Sequence, residues 1–196
     1  MFDQIELVRE FFERMTEIDE AITARVAAAA CPFCGGPLHR GDYARKPRGG
    51  LFAIAAETFT RRFSLCCGRD GCRRRAMPPS VRFLGRRVYV GAVVIVASVV
   101  ALTARTASAI RRATGISPRT ARRWLRWWRG PFLETRVFAA LSARFVPAVS
   151  RDELPASVLA RMPDPVDTKL ACLLGWLAPL TTASVRDGAR FVRGLG

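Results

Sequence analysis

The sequence predicts a mainly α-helical fold with a small β insert, and three observations carry that reading. Apolar residues recur at spacings of three and four near both ends of the chain. Five of the six cysteines crowd into two glycine-rich turns. A Gly115-Ile116-Ser117-Pro118 junction separates two short amphipathic stretches. The chain has 196 residues and is half apolar, enough to bury a core. Its 12 Phe and four Trp exclude a wholly disordered chain.

Charge divides the sequence further. Lys and Arg total 32 against 16 acids, a formal net charge of +16, and only Lys46 and Lys169 are lysines. Such a chain is expected to seek polyanions, nucleic acid first and acidic membrane surface second. Residues 1–30 are net acidic, residues 31–130 carry the whole basic excess, and residues 131–196 are nearly balanced. We accordingly expect four segments: an acidic helix (1–30), a cysteine module (31–80), a basic helical module (81–130) and a helical C-terminal region (131–196).

In the first segment, Ile5, Val8, Phe12, Met15, Ile18 and Ile22 lie on one face of a helix running from Phe2 to about Ala30. Pro32 stops it. Acids fill the other positions, so the helix is expected to pack within the chain or pair with another copy. The acidic opening is unlike a secretory leader, and a reducing compartment follows as the expectation.

The second segment holds Cys31-Pro32-Phe33-Cys34-Gly35-Gly36, a C-x2-C turn whose glycines let backbone amides swing toward the sulfurs. After a strand-like run from Phe59 to Leu65 comes Cys66-Cys67-Gly68-Arg69-Asp70-Gly71-Cys72. Cys67 gives C-x4-C and Cys66 gives C-x5-C; the shorter loop favours Cys67, with Cys66 the alternative. Cys31, Cys34, Cys67 and Cys72 then form a tetrahedral structural zinc site of the ribbon kind. His39, the one histidine, reads as a solvated hairpin residue, with replacement of one sulfur as the alternative, and Cys172 reads as core. Between the turns, Pro47-Arg48-Gly49 shares residues with AT-hook segments. It lacks their Arg-Gly-Arg centre, because Gly50 follows Gly49, and reads as a phosphate-contacting loop. Arg73, Arg74 and Arg75 follow the second turn and are candidates for phosphate contact.

In the third segment, Val88 to Ala104 is an uncharged run of 17 residues. As a helix it reaches ~25 Å, short of the ~30 Å hydrocarbon core, so a buried helix is expected rather than a membrane span. Ile110 and Ala113 mark the inner face of a short helix that Gly115 ends in a left-handed turn. Ser117 is an N-cap and Pro118 takes the first helical position. The next helix places Ala121, Trp124, Leu125 and Trp128 on one face. Arg119, Thr120, Arg122, Arg123 and Arg126 occupy the other. This is helix-turn-helix grammar, with an arginine-rich second helix suited to the major groove. One departure is Arg111, four residues before the turn glycine, where a small residue is usual. In the last segment, helices are expected near Phe132–Phe145, Pro155–Met162, Asp167–Leu177 and Thr182–Val192, broken by prolines. Leu170, Leu173, Leu174, Trp176 and Leu177 make an apolar patch read as core, with a partner-binding surface as the alternative.

From Cys31-Pro32-Phe33-Cys34-Gly35 through the Cys67–Cys72 turn to Gly115-Ile116-Ser117 and Trp124, the chain resembles zinc-ribbon plus helix-turn-helix DNA-binding proteins associated with bacterial transposable elements. The resemblance covers roughly residues 31–130. Many such families continue into a nuclease domain with three metal-binding acids. The 66 residues after Gly130 place Glu134, Asp152, Glu153, Asp164, Asp167 and Asp187 in Pro-broken loops or near helix ends instead. The resemblance implies the targeting or accessory half of such a system.

The expected protein is a cytoplasmic, nucleoid-associated, non-enzymatic binder of double-stranded DNA, with structural Zn2+. It acts as a mobile-element accessory factor or a transcriptional regulator. Arg122 or Arg123 is expected to read guanine edges. A homodimer or partner protein is expected at the N-terminal helix or the C-terminal helices. The competing readings are an RNA-binding zinc-ribbon protein and a small membrane protein with one span near 88–104.

Overall fold

A computed structural model describes residues 9–45, 57–84 and 89–182. The fold is mainly α-helical with a small antiparallel β module. Helix α1 runs Arg9–Ala28 and turns Phe11, Phe12, Met15, Asp19, Ile22, Thr23 and Val26 inward. Of the two arrangements expected for this helix, packing within the chain takes up the apolar face; Phe12 meets Phe59 edge-on, ring centroids 4.9 Å apart. Ile18 is only partly buried, while the acid Asp19 lies inside. Phe2, Ile5 and Val8 lie outside the described residues.

The β module follows. Strands β1 (Leu38–Arg40), β4 (Leu65–Cys67) and β5 (Arg75–Ala76) form an antiparallel sheet in the order β1-β4-β5. Strands β2 (Tyr43–Ala44) and β3 (Arg61–Arg62) pair separately. The Phe59–Leu65 run is therefore not one strand. It opens in a 3-10 turn, Glu57–Thr60, and breaks before Leu65, where the Ser64 amide donates to Asp42 Oδ1 at 2.9 Å instead of to a ladder. The Pro47-Arg48-Gly49 stretch lies outside the described residues.

Residues 77–82 join the β module to the helices and are held from three sides. Asp19 Oδ2 accepts from Ser80 Oγ (2.6 Å) and Arg82 Nε (2.8 Å), and its Oδ1 accepts from the Val81 amide (2.7 Å). Arg62 Nη2 donates to the Pro78 carbonyl at 2.8 Å. From the far end of the chain, Thr181 Oγ1 accepts from the Ser80 amide, and Thr182 Oγ1 donates to the Met77 carbonyl. The Arg82 side chain is fully buried, its guanidinium 4.2 Å from the Phe63 ring centroid and bonded to the carbonyls of Phe59 and Arg61.

A short hairpin, β6 (Phe83–Leu84) with β7 (Tyr89–Val90), leads into α2 (Gly91–Thr103). Every residue from Gly91 to Val100 is buried, so tertiary burial on all sides overrides the strand preference of the valines. At 13 residues α2 is ~20 Å long, and no helix among the described residues is long and apolar enough to cross a membrane. Helix α3 (Ala107–Thr114) is capped by Thr106, and Gly115 ends it at φ +66°. Helix α4 (Pro118–Arg129) is capped by Ser117, whose Oγ accepts from the Thr120 amide. Helices α2, α3 and α4 pack together as a trihelical unit. Trp128 Nε1 donates to Ser98 Oγ at 3.1 Å across its core.

One inner position differs from expectation: Ala113 is exposed and Thr114 is buried. Thr114 tolerates burial because its hydroxyl donates to the Ile110 carbonyl and accepts from the Ile116 amide. Arg111 points to solvent.

The C-terminal region is more broken than its periodicity suggests. The expected Phe132–Phe145 helix splits into a 3-10 turn, Pro131–Glu134, and α5 (Arg136–Ser142), because the Thr135 hydroxyl caps a new start by accepting from the Phe138 amide. Helix α6 spans only Ala156–Leu159, and α7 spans Val166–Leu177, followed by a 3-10 turn, Ala178–Thr181. Leu170, Leu173, Leu174 and Leu177 are buried and Trp176 is half-buried. The helix expected at Thr182–Val192 lies beyond the described residues after its first position. One hydrophobic cluster runs from Phe11 through Leu65, Val94 and Trp128 to Ala178, so all four sequence segments share a core.

Candidate metal centre and basic helix

The two cysteine turns meet at the end of the β module. The sulfurs of Cys31, Cys34, Cys67 and Cys72 all lie within 4.8 Å of one another. Cys34 Sγ is 3.5 Å from Cys67 Sγ, and Cys31 Sγ is 3.9 Å from Cys72 Sγ. A tetrahedral ion with bonds of ~2.3 Å to sulfur needs sulfur–sulfur edges of ~3.8 Å, so the four residues fit a metal ion as they stand. Cys66 does not join them. Successive residues of β4 face opposite ways, and Cys66 Sγ instead sits 3.5 Å from the Arg73 carbonyl. His39, on β1, pairs with Cys66 of β4; it is exposed and does not join the four sulfurs. Cys172 packs partly buried against the helical core.

The local chain explains the geometry. Gly35 takes φ +70°, which turns the Gly36 amide onto Cys34 Sγ. The second turn repeats the device with Arg73, at φ +45°, turning the Arg74 amide onto Cys72. The Arg69 amide donates to Cys67 Sγ at 3.4 Å. Gly36 has no room for a side chain: a Cβ there would lie 3.2 Å from Cys67 Sγ and 2.9 Å from Arg69 Cβ. Arg69 Nη1 closes the seam by donating to the Cys34 carbonyl at 2.8 Å.

The thiols compete for ionisation. The Gly36 amide leads the groups that draw Cys34 down to about 7. The Arg69 amide pulls Cys67 the same way, but burial and the neighbouring thiols outweigh it and push Cys67 up to about 12. Cys72 is raised despite the Arg74 amide, by burial and by Cys34. Four sulfurs this close cannot all carry charge unless a cation sits among them. The cluster is thus chemically suited to a soft divalent ion.

Arg73, Arg74 and Arg75 are all exposed at the edge of this module, and each has a partner within the chain. Arg73 Nη2 bonds Asp70 Oδ1 at 2.6 Å, both side chains largely in water. The Arg74 guanidinium lies 5.0 Å from the Phe33 ring centroid. Arg75 Nη1 donates to Ser64 Oγ at 3.0 Å and its guanidinium covers the Tyr43 ring.

The expected recognition helix is α4. Ala121, Trp124, Leu125 and Trp128 are buried, while Arg119, Arg122, Arg123 and Arg126 are exposed. Thr120 stands apart from them: it is half-buried, and its Oγ1 accepts from Ser117 Oγ at 2.9 Å, so its hydroxyl serves the helix cap. Arg129, on the same helix, is spent on the Asp152 carbonyl. The aromatic–arginine contacts of the β module were not singled out from sequence. Their signal is the interleaving of Phe33 and Tyr43 with arginines far along the chain, which only the sheet register brings together. No protein-family model matches the chain, and no curated protein or solved structure matches it either.

Proposed function

We propose that the chain is a double-stranded DNA-binding protein whose β module is held by a structural zinc ion. The single supporting observation is α4. It is a capped helix of 12 residues that follows a tight glycine turn, buries its tryptophans and exposes Arg119, Arg122, Arg123 and Arg126. At ~18 Å long, it is of a size to lie in a major groove ~12 Å wide. Arginines at that spacing suit bidentate contact with guanine edges and salt-dependent contact with phosphates. Four thiolates in tetrahedral disposition favour zinc over hard cations. The ion would close a module too small to fold on its own apolar content and would take no part in chemistry. The role fits an accessory or targeting factor of a mobile element, or a transcriptional regulator.

The test is anisotropy titration of a labelled duplex at several salt concentrations. Log affinity should fall linearly with log salt, by about 0.9 for each phosphate neutralised. Arg122→Ala should weaken binding, and the slope should shrink by about 1 if Arg122 meets phosphate. A flat salt line, or no binding at low salt, overturns the proposal.

A further inference from the structure

The metal-site turns present an aromatic that the duplex-binding reading leaves unused. Phe33 sits between two of the metal-site cysteines and is 47% exposed; with Val146 it is one of the two large apolar side chains exposed among the described residues. Nothing in the core needs it there, since the sulfur cluster is built by its neighbours. Leaving such a ring half in water forgoes the gain that burying it would bring. The chain instead brings Arg74 over it, 5.0 Å from the ring centroid, from the second cysteine turn. Arg73 beside it is held at φ +45°, a backbone region where the sister turn uses Gly35, so a strained position carries a guanidinium. The second turn and the strand that follows it also expose Arg69, Arg73 and Arg75, against the single acid Asp70.

We propose that Phe33, backed by Arg74, is a stacking platform for one unpaired base of single-stranded DNA, with the flanking arginines taking the adjoining phosphates. An aromatic face suits any base, because every base has a π-face, and a guanidinium on the ring adds a cation–π contact. A solvated half-ring with a guanidinium over it is complementary to a nucleotide, which offers an apolar face and an anion together. It is poorly complementary to an acidic peptide, which offers only the charge. This site goes beyond duplex binding by α4 and does not rest on it.

Equilibrium binding of the full chain to a short labelled single strand, a blunt duplex and an RNA of the same sequence tests the proposal. Phe33→Leu should lower single-strand affinity at least about fivefold while leaving duplex affinity unchanged. Phe33→Trp should restore or exceed the original single-strand affinity. Arg74→Gln, whose side chain is no metal ligand, should weaken the same arm and leave the metal content intact. Arg122→Ala should leave single-strand binding as it is, which separates a failure of this site from a failure of the duplex reading. Unchanged single-strand binding in Phe33→Leu, equal losses on both DNA forms, or preference for the RNA would overturn it.

Discussion

Asp19 is the place where a single atom-scale change should be felt across the whole molecule. Its carboxylate is buried and holds Arg82 Nε at 2.8 Å, Ser80 Oγ at 2.6 Å and the Val81 amide at 2.7 Å. Asp19→Ala would strip the carboxylate from a guanidinium that stays buried against Phe63 and the carbonyls of Phe59 and Arg61. Breaking a buried pair from one side costs about 3–5 kcal/mol, because the partner charge is left unpaired. That is a large share of a typical 5–15 kcal/mol total. For a chain of 196 residues it corresponds to a fall in Tm of ~10 °C. Thermal unfolding followed by circular dichroism at constant metal loading measures it. Removing both charges, with Arg82→Met added to Asp19→Ala, should destabilise by at least about 2 kcal/mol less than the two single changes combined. A loss under about 1 kcal/mol for the single variant, or strict additivity in the double, would refute the reasoning.

Four further outcomes follow from the geometry. Cys67→Ser should abolish one-to-one metal retention on purification while Cys66→Ser keeps it, measured by elemental analysis, since only Cys67 shares the sulfur cluster. In metal-stripped protein, Cys34 should alkylate with a midpoint near pH 7 and Cys67 should stay protonated to about pH 12. Because metal binding must displace thiol protons, measured metal affinity should fall as the pH is lowered. Trp128→Phe should lose about 1–2 kcal/mol in chemical denaturation, since it deletes the bond from Nε1 to Ser98 and leaves that buried hydroxyl one donor short.

Local signals were the legible ones. Gly115, Ser117 and Pro118 act through their own backbones, and the turn, cap and first helical position stand where those residues dictate. The cysteine set was legible down to a choice between Cys66 and Cys67. The shorter loop favours Cys67, and the facing of β4 decides it. Long-range polar pairing was not legible. In a helix dotted with acids nothing marks Asp19 for burial; its partners Ser80 and Arg82 lie more than 60 residues away. Hydropathy ranks Ala113 inward over Thr114, whereas threonine can satisfy its own hydroxyl against the preceding turn. Periodicity extends the first C-terminal helix too far because it continues through Thr135, where capping restarts the helix.

The pinning of residues 77–82 has a mechanical corollary. A tether of loose residues would let the cysteine-bearing lobe and the tryptophan-filled lobe swing to suit targets of varying separation. Here the joint is mortised from the N-terminal rod, from β3 and from the chain's far end alike. The two lobes therefore present themselves as one stiff gauge, and any ligand that touches both must conform to a fixed offset instead of choosing its own.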